Sequence, residues 1–115
     1  MTAPRLEIRL DRIAHNARTL VERLGARGIA VTGVTKATLG SSDVAAVLLD
    51  AGVVALGDSR IENLEALRRA GITAPLTLIR SPMPSQVDRV VGTADVSLNT
   101  EPDVLRLLSG AAAAR

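Results

Sequence analysis

Four short apolar runs, Ile29 to Val34, Val53 to Leu56, Leu76 to Ile79 and Val96 to Leu98, alternate with four helix-like segments. This rhythm constrains the fold more than any other feature of the chain. The runs do not alternate polar with apolar residues, so each reads as a strand buried on both faces, the habit of parallel sheets. The segments between and after them, Ser42 to Ala51, Ile61 to Ala70, Pro84 to Val91 and Glu101 to Ser109, carry helix start signals. These are Ser41 or Ser42, the box Ser59-x-x-Glu62, Pro84 in a first turn, and Thr100 followed by Asp103. Gly52, Gly71, Gly92 and Gly110 mark the stops. Strand and helix units of about twenty residues, joined by right-handed crossovers, give an α/β fold with a parallel sheet. Four of them make half of a (β/α)8 TIM-type barrel or a small open sheet.

The chain opens differently. Leu6-Glu7-Ile8-Arg9-Leu10 alternates apolar and charged residues, which predicts a strand with one wet face. Asp11 can cap the next helix, where Ile13, Ala17, Leu20, Val21 and Leu24 share a stripe. His15 lies roughly opposite that stripe, so it reads as a solvated or interface histidine before a general base. Two regions are expected: residues 1–28 as a separate strand and helix, and residues 29–115 as the first half of a barrel. The Ala-rich end from Gly110 to Arg115 supplies no closing strand. A piece of a longer enzyme, or a half-barrel that pairs with another chain, is therefore expected.

Composition removes several function classes. Among 115 residues there is no Phe, Tyr or Trp, so the core must be aliphatic and there is no platform on which single-stranded bases could stack. Cysteine is absent and His15 is the one histidine, which argues against disulfides and zinc. Fourteen basic residues face twelve acidic ones, for a formal charge of +2, which makes no basic patch and leaves nucleic acid an unexpected partner. With no long apolar run and no apolar leader after Met1, neither a membrane span nor a signal peptide is expected, and the expected compartment is the cytoplasm.

Ligands of parallel α/β folds bind at the carboxyl ends of the strands. Each apolar run ends in polar residues: Thr35-Lys36, Gly57-Asp58-Ser59-Arg60, Arg80-Ser81 and Asn99-Thr100. Lys36 is the only lysine, the other thirteen basic residues being arginines. An arginine-biased composition could leave one lysine by chance. An amine, however, can lose its proton and attack a carbonyl, which a guanidinium cannot. Asp58 and Ser59 are either ligand groups or caps for the helix from Ile61. Arg80 either binds a carboxylate or phosphate or pairs with Asp58 across neighbouring strand ends. No Gly-x-Gly-x-x-Gly or Walker-type loop is present to hold a nucleotide.

These residues resemble a known family. Leu6 to Asn16 looks like the opening strand and helix of the alanine racemase family, and Val34-Thr35-Lys36-Ala37 looks like its first barrel strand with the cofactor lysine. Leu56-Gly57-Asp58-Ser59-Arg60-Ile61-Glu62-Asn63, Leu67 to Ile72, Leu78 to Met83 and Ser97 to Glu101 are most similar to the ornithine racemase branch. The resemblance reaches to about Ser109 and implies a pyridoxal 5'-phosphate enzyme of amino-acid metabolism, an isomerase whose small-molecule substrate is an amino acid and whose expected assembly is a homodimer. Lys36 is then the catalytic residue, forming the internal aldimine and serving as one of two acid/bases at the substrate Cα. Lys36, Asp58, Arg80 and Asn99 are the expected cofactor-binding residues, with no metal. In such relatives the first strand joins a second, β domain. Departures from the pattern are the absence of any tyrosine and Gly40 where alanine racemases place one, four residues after the lysine. The 115 residues alone are accordingly expected to be inactive. The alternatives are a non-catalytic pyridoxal phosphate carrier of the same barrel type and a half-barrel that acts only by association.

Overall fold

The structure, a computed structural model, describes residues 2–115. Helix α1 (Leu10–Gly25) leads into β1 (Thr32–Val34), a 3-10 turn (Lys36–Thr38) and α2 (Ser42–Asp50). Then come β2 (Ala55–Asp58), α3 (Ile61–Arg69), β3 (Leu76–Leu78), a 3-10 turn (Pro84–Gln86), α4 (Val87–Thr93), β4 (Val96–Ser97) and α5 (Pro102–Ala113). All four expected strands form, and they pair in parallel in the order β1-β2-β3-β4. Sequential parallel neighbours joined through helices are the pattern of one half of a (β/α)8 barrel.

Register separates the two faces of the sheet. Gly33, Leu56 and Leu76 lie side by side, as do Asp58, Leu78 and Ser97. Leu56, Leu76 and Leu78 are buried with Ile61, Leu64, Leu67, Val90, Val104 and Leu108 in one aliphatic core beneath the helices. Side chains of the alternate row, Val34, Thr77 and Val96 across from Gly57, point to the other face because strand side chains alternate. Among the described residues no helix covers that face: Val34 is 47% and Val96 52% exposed. In a closed barrel this row faces the axis, where side chains from all eight strands pack together.

The amino end of the sheet is held by structural polar contacts. Arg68 donates to the carbonyls of Ile72 and Ala74 and to the Asp95 carboxylate, whose Oδ2 also accepts from the Leu76 N–H. This cluster fixes the entry to β3 beside the entry to β4. No helix among the described residues is long and apolar enough to cross a membrane.

Four local expectations are corrected, the first being that Gly92 and Gly110 stop helices: both lie inside, α4 running on to Thr93 and α5 to Ala113. The segment Leu6 to Leu10 is not a strand: residues 2–9 carry no regular structure, α1 begins at Leu10, and Leu6 is 84% exposed. Its alternating pattern has no neighbouring strand among the described residues with which to pair, and a lone strand cannot satisfy its backbone groups. Asp11 falls inside the first turn of α1 and bonds the Arg9 guanidinium instead of capping the helix. Strand β1 is shorter than the apolar run from Ile29, because pairing with β2 starts at Val31, whose carbonyl accepts from the Val54 N–H.

Candidate active site

The site is built from a buried carboxylate outward. Asp58 ends β2 with no exposed surface. Its Oδ2 accepts a 2.7 Å hydrogen bond from the Thr35 hydroxyl. Its Oδ1 accepts from the Arg60 N–H at 3.0 Å and from the Asn63 side-chain amide at 2.9 Å. A carboxyl group taken out of water is costly unless donors replace its lost hydration, and three donors do so here. They come from the end of β1, the entry to α3 and the first turn of α3, so one side chain ties three elements together.

That knot determines where the lysine goes. Thr35 is 1% exposed and its N–H also donates to the Gly57 carbonyl. The next residue, Lys36, starts the 3-10 turn, which closes with the Gly40 N–H donating back to the Thr35 carbonyl. The turn ends in two left-handed residues, Leu39 at φ 55° and Gly40 at φ 69°. Leu39 in that region costs on the order of 1 kcal/mol, a strain the surrounding contacts must offset. Gly40 is pressed on Asn63: a Cβ there would meet the Asn63 Cβ at 2.8 Å and its carbonyl oxygen at 3.1 Å. The turn is therefore clamped at Thr35 and again at Gly40, both times through residues bonded or packed to Asp58 and Asn63. Replacing Gly40 by alanine is expected to destabilise the fold by about 2 kcal/mol, from positive φ plus the clash. A denaturant midpoint unchanged in that variant would contradict the clamp.

Lys36 itself is exposed at the rim and takes part in no ion pair among the described residues. Arg80, at the end of β3, is likewise exposed and unpaired among them. The alternative in which Arg80 pairs with Asp58 is excluded, because Asp58 is enclosed and its oxygens are already occupied. Asn99, beyond β4, donates to the Ser97 carbonyl and hydroxyl, while its Oδ1 is buried without a partner. The Ser81 hydroxyl oxygen is also buried and without a partner. Buried polar atoms nearly always find partners, and these two orphans both sit at the carboxyl end of the sheet. Neighbouring strands are about 5 Å apart, so the ends of β1 to β4 span on the order of 15 Å.

The structure thus gathers Lys36, Arg80 and Asn99 on one rim, encloses Asp58 beneath it and so takes that carboxylate out of reach of a ligand, and leaves His15 exposed on α1. It also shows a residue whose part was missed. Asn63 is a hub of the site, and its signal was Asp58 two residues before Arg60, the N-cap residue of α3, the spacing of an Asx turn. Ser59 does not form the expected capping box: α3 is entered at Arg60, without a side-chain cap on its own first turn. Farther out, the hydrogen bond to Glu65 and the charge of nearby Glu62 raise the Arg89 guanidinium above its ordinary value, so it remains a fixed cation on α4.

Comparison with known proteins agrees with this arrangement. The family described as alanine racemase, N-terminal domain, matches residues 8–115. The chain belongs to that family. It is 43% identical over 106 residues to the lysine racemase of Thermotoga maritima, covering 92% of this chain and 30% of that protein. It is 34% identical over 110 residues to the ornithine racemase of Acetoanaerobium sticklandii, covering 95% of this chain and 30% of that one. Among solved structures it resembles D-threonine aldolase from Filomicrobium marinum, with a TM-score of 0.84 at 18% identity over 98% of this chain and 31% of that chain. Alanine racemase from Bacillus anthracis superimposes with a TM-score of 0.75 at 24% identity over 94% of this chain and 31% of that chain. These two likenesses establish the fold, a partial (β/α)8 barrel. This member of the alanine racemase N-terminal family spans about 30% of the length of the curated relatives it matches.

Proposed function

We propose that this chain is the lysine-bearing part of a pyridoxal phosphate-dependent amino-acid racemase. The observation that carries the reading is the placement of its one lysine, on a clamped turn at the ligand-binding end of β1. The donor set fits the cofactor: an exposed primary amine without a carboxylate partner for its aldehyde, an unpaired guanidinium, and two orphaned polar oxygens along one rim of the described residues. Lys36 would hold the cofactor, with Arg80 and Asn99 as further contacts. When bound, pyridoxal phosphate supplies an electron sink for the charge that develops at the substrate Cα.

The work of this chain's own residues is positional and acid–base. Asp58, sealed beneath the rim, orients the Thr35 backbone and so aims Lys36, in place of touching the cofactor itself. The freed Lys36 amine takes or returns the Cα proton on one face of the substrate. Racemisation needs a second acid or base on the opposite face, and no tyrosine is available in these residues to provide it. With one sheet face uncovered and that group missing, the 115 residues alone are proposed to be inactive. Incubated with pyridoxal phosphate and borohydride, a racemase carrying this segment should yield a pyridoxyl mass on Lys36. The isolated chain should leave enantiopure lysine, ornithine and alanine unracemised by chiral chromatography. A trapped adduct without racemisation in the completed enzyme would favour the carrier reading.

A further inference from the structure

We propose that the rim cavity between the start of α3 and the Pro84 turn is an oxyanion site that takes a carboxylate or phosphate group. The cavity, about 290 Å³, is lined among others by Ser59, Arg60, Glu62, Arg80, Ser81 and Met83. Two guanidinium groups therefore face one carboxylate. Glu62 lies 3.9 Å from Arg60 and 3.9 Å from Arg89, so its charge is divided between two cations. Arg80 has no carboxylate within ion-pair distance among the described residues.

An exposed arginine alone calls for no ligand. Here two line one cavity together with Ser81, whose hydroxyl oxygen is buried without a partner just behind the wall. The first-turn N–H groups of Ile61 and Glu62 add to this, because a helix start leaves donors without intrahelical acceptors and carries a partial positive charge, whereas those of Arg60 and Asn63 are already bonded. Ile61 and Leu78, both buried, line the same cavity and lower the local dielectric, which strengthens a guanidinium–oxyanion contact. The volume admits an anionic group with a small body attached.

This site rests on the cavity and its charges and not on Lys36 carrying a cofactor, so the two assignments fail separately. The test is an amide-resolved NMR titration of the chain with inorganic phosphate and, separately, with acetate. Saturable shifts confined to residues 59–62 and 80–83 are expected, with Arg80→Gln weakening the affinity about ten-fold and Arg106→Gln leaving it unchanged. Arg80 is exposed, so the variant should keep the wild-type spectrum outside that region. Tighter phosphate than acetate identifies a phosphorylated ligand, and equal or tighter acetate identifies an organic acid. Shifts that scatter over the surface, never saturate, or ignore Arg80→Gln overturn the proposal.

Discussion

Replacing Lys36 by arginine is expected to remove the reducible pyridoxal adduct and to lower racemisation at least about 10³-fold. The measurement calls for a barrel that is closed, and a hybrid supplies one: residues 8–115 of this chain in place of the matching segment of Thermotoga maritima lysine racemase, a relative 43% identical over 106 residues. Arginine keeps the positive charge and much of the length of lysine, so the variant isolates the amine chemistry from electrostatics. A guanidinium neither condenses with an aldehyde under these conditions nor gives up a proton near neutral pH. Lys36 is exposed and unpaired among the described residues, so the substitution should leave the unfolding free energy within about 0.5 kcal/mol of the parent. Loss of adduct and activity at unchanged stability assigns the chemistry to the amine. A hybrid with arginine at position 36 that still racemises would put the catalytic base elsewhere.

The residues differ in how far their placement could be read from sequence, and the differences have physical causes. The four strands were legible because burial on both faces leaves uninterrupted aliphatic runs, and the ends of α2 and α3 were legible because Gly52 and Gly71 lie at positive φ just beyond them, whereas Gly92 and Gly110 fall inside α4 and α5 and stop neither. The position of Lys36 was legible for a related reason: once strand direction is known, the residue after an apolar run must lie on the ligand-binding rim. Leu6 to Leu10 was misread because a strand exists only with a partner, and alternation within one segment says nothing about whether a neighbour is there. Asp58 was legible as a strand-end residue, but its burial was not foreseen. Whether a carboxylate at a strand end faces ligand or interior depends on donors brought in from Thr35, 23 residues earlier, and from Asn63 on the next helix. Such convergence belongs to tertiary structure, whereas the Asx-turn spacing from Asp58 to Arg60 was available in the sequence.

Asp58→Ala should cost about 3 kcal/mol of folding stability and disorder the lysine turn before the rest of the fold. Truncation strands three donors, the Thr35 hydroxyl, the Arg60 N–H and the Asn63 amide, in a place with no exposed surface. Each orphaned buried donor costs roughly 1–3 kcal/mol, reduced where water enters the space left behind or a second acceptor is near. Thr35 has such an acceptor in the Gly57 carbonyl, at 3.4 Å, which is why the total is set near the lower end. For a domain of this size the melting temperature should fall by about 10 °C or more. Asp58→Asn separates charge from geometry. Its carbonyl oxygen can still accept from Arg60 and Asn63, and its amide can donate to the Thr35 hydroxyl, which then turns toward Gly57. A loss of about 1 kcal/mol is expected for that variant. The positional role makes a second demand that stability alone does not. In Asp58→Ala, hydrogen exchange at Thr38 and Gly40, whose N–H groups both donate to the Thr35 carbonyl, should accelerate more than exchange in β3. In the hybrid enzyme the yield of Lys36 adduct should fall with it and recover in Asp58→Asn. Uniform acceleration across the sheet, or an adduct yield indifferent to Asp58, would reduce this carboxylate to a cap for α3 and leave the aim of Lys36 to the 3-10 turn alone.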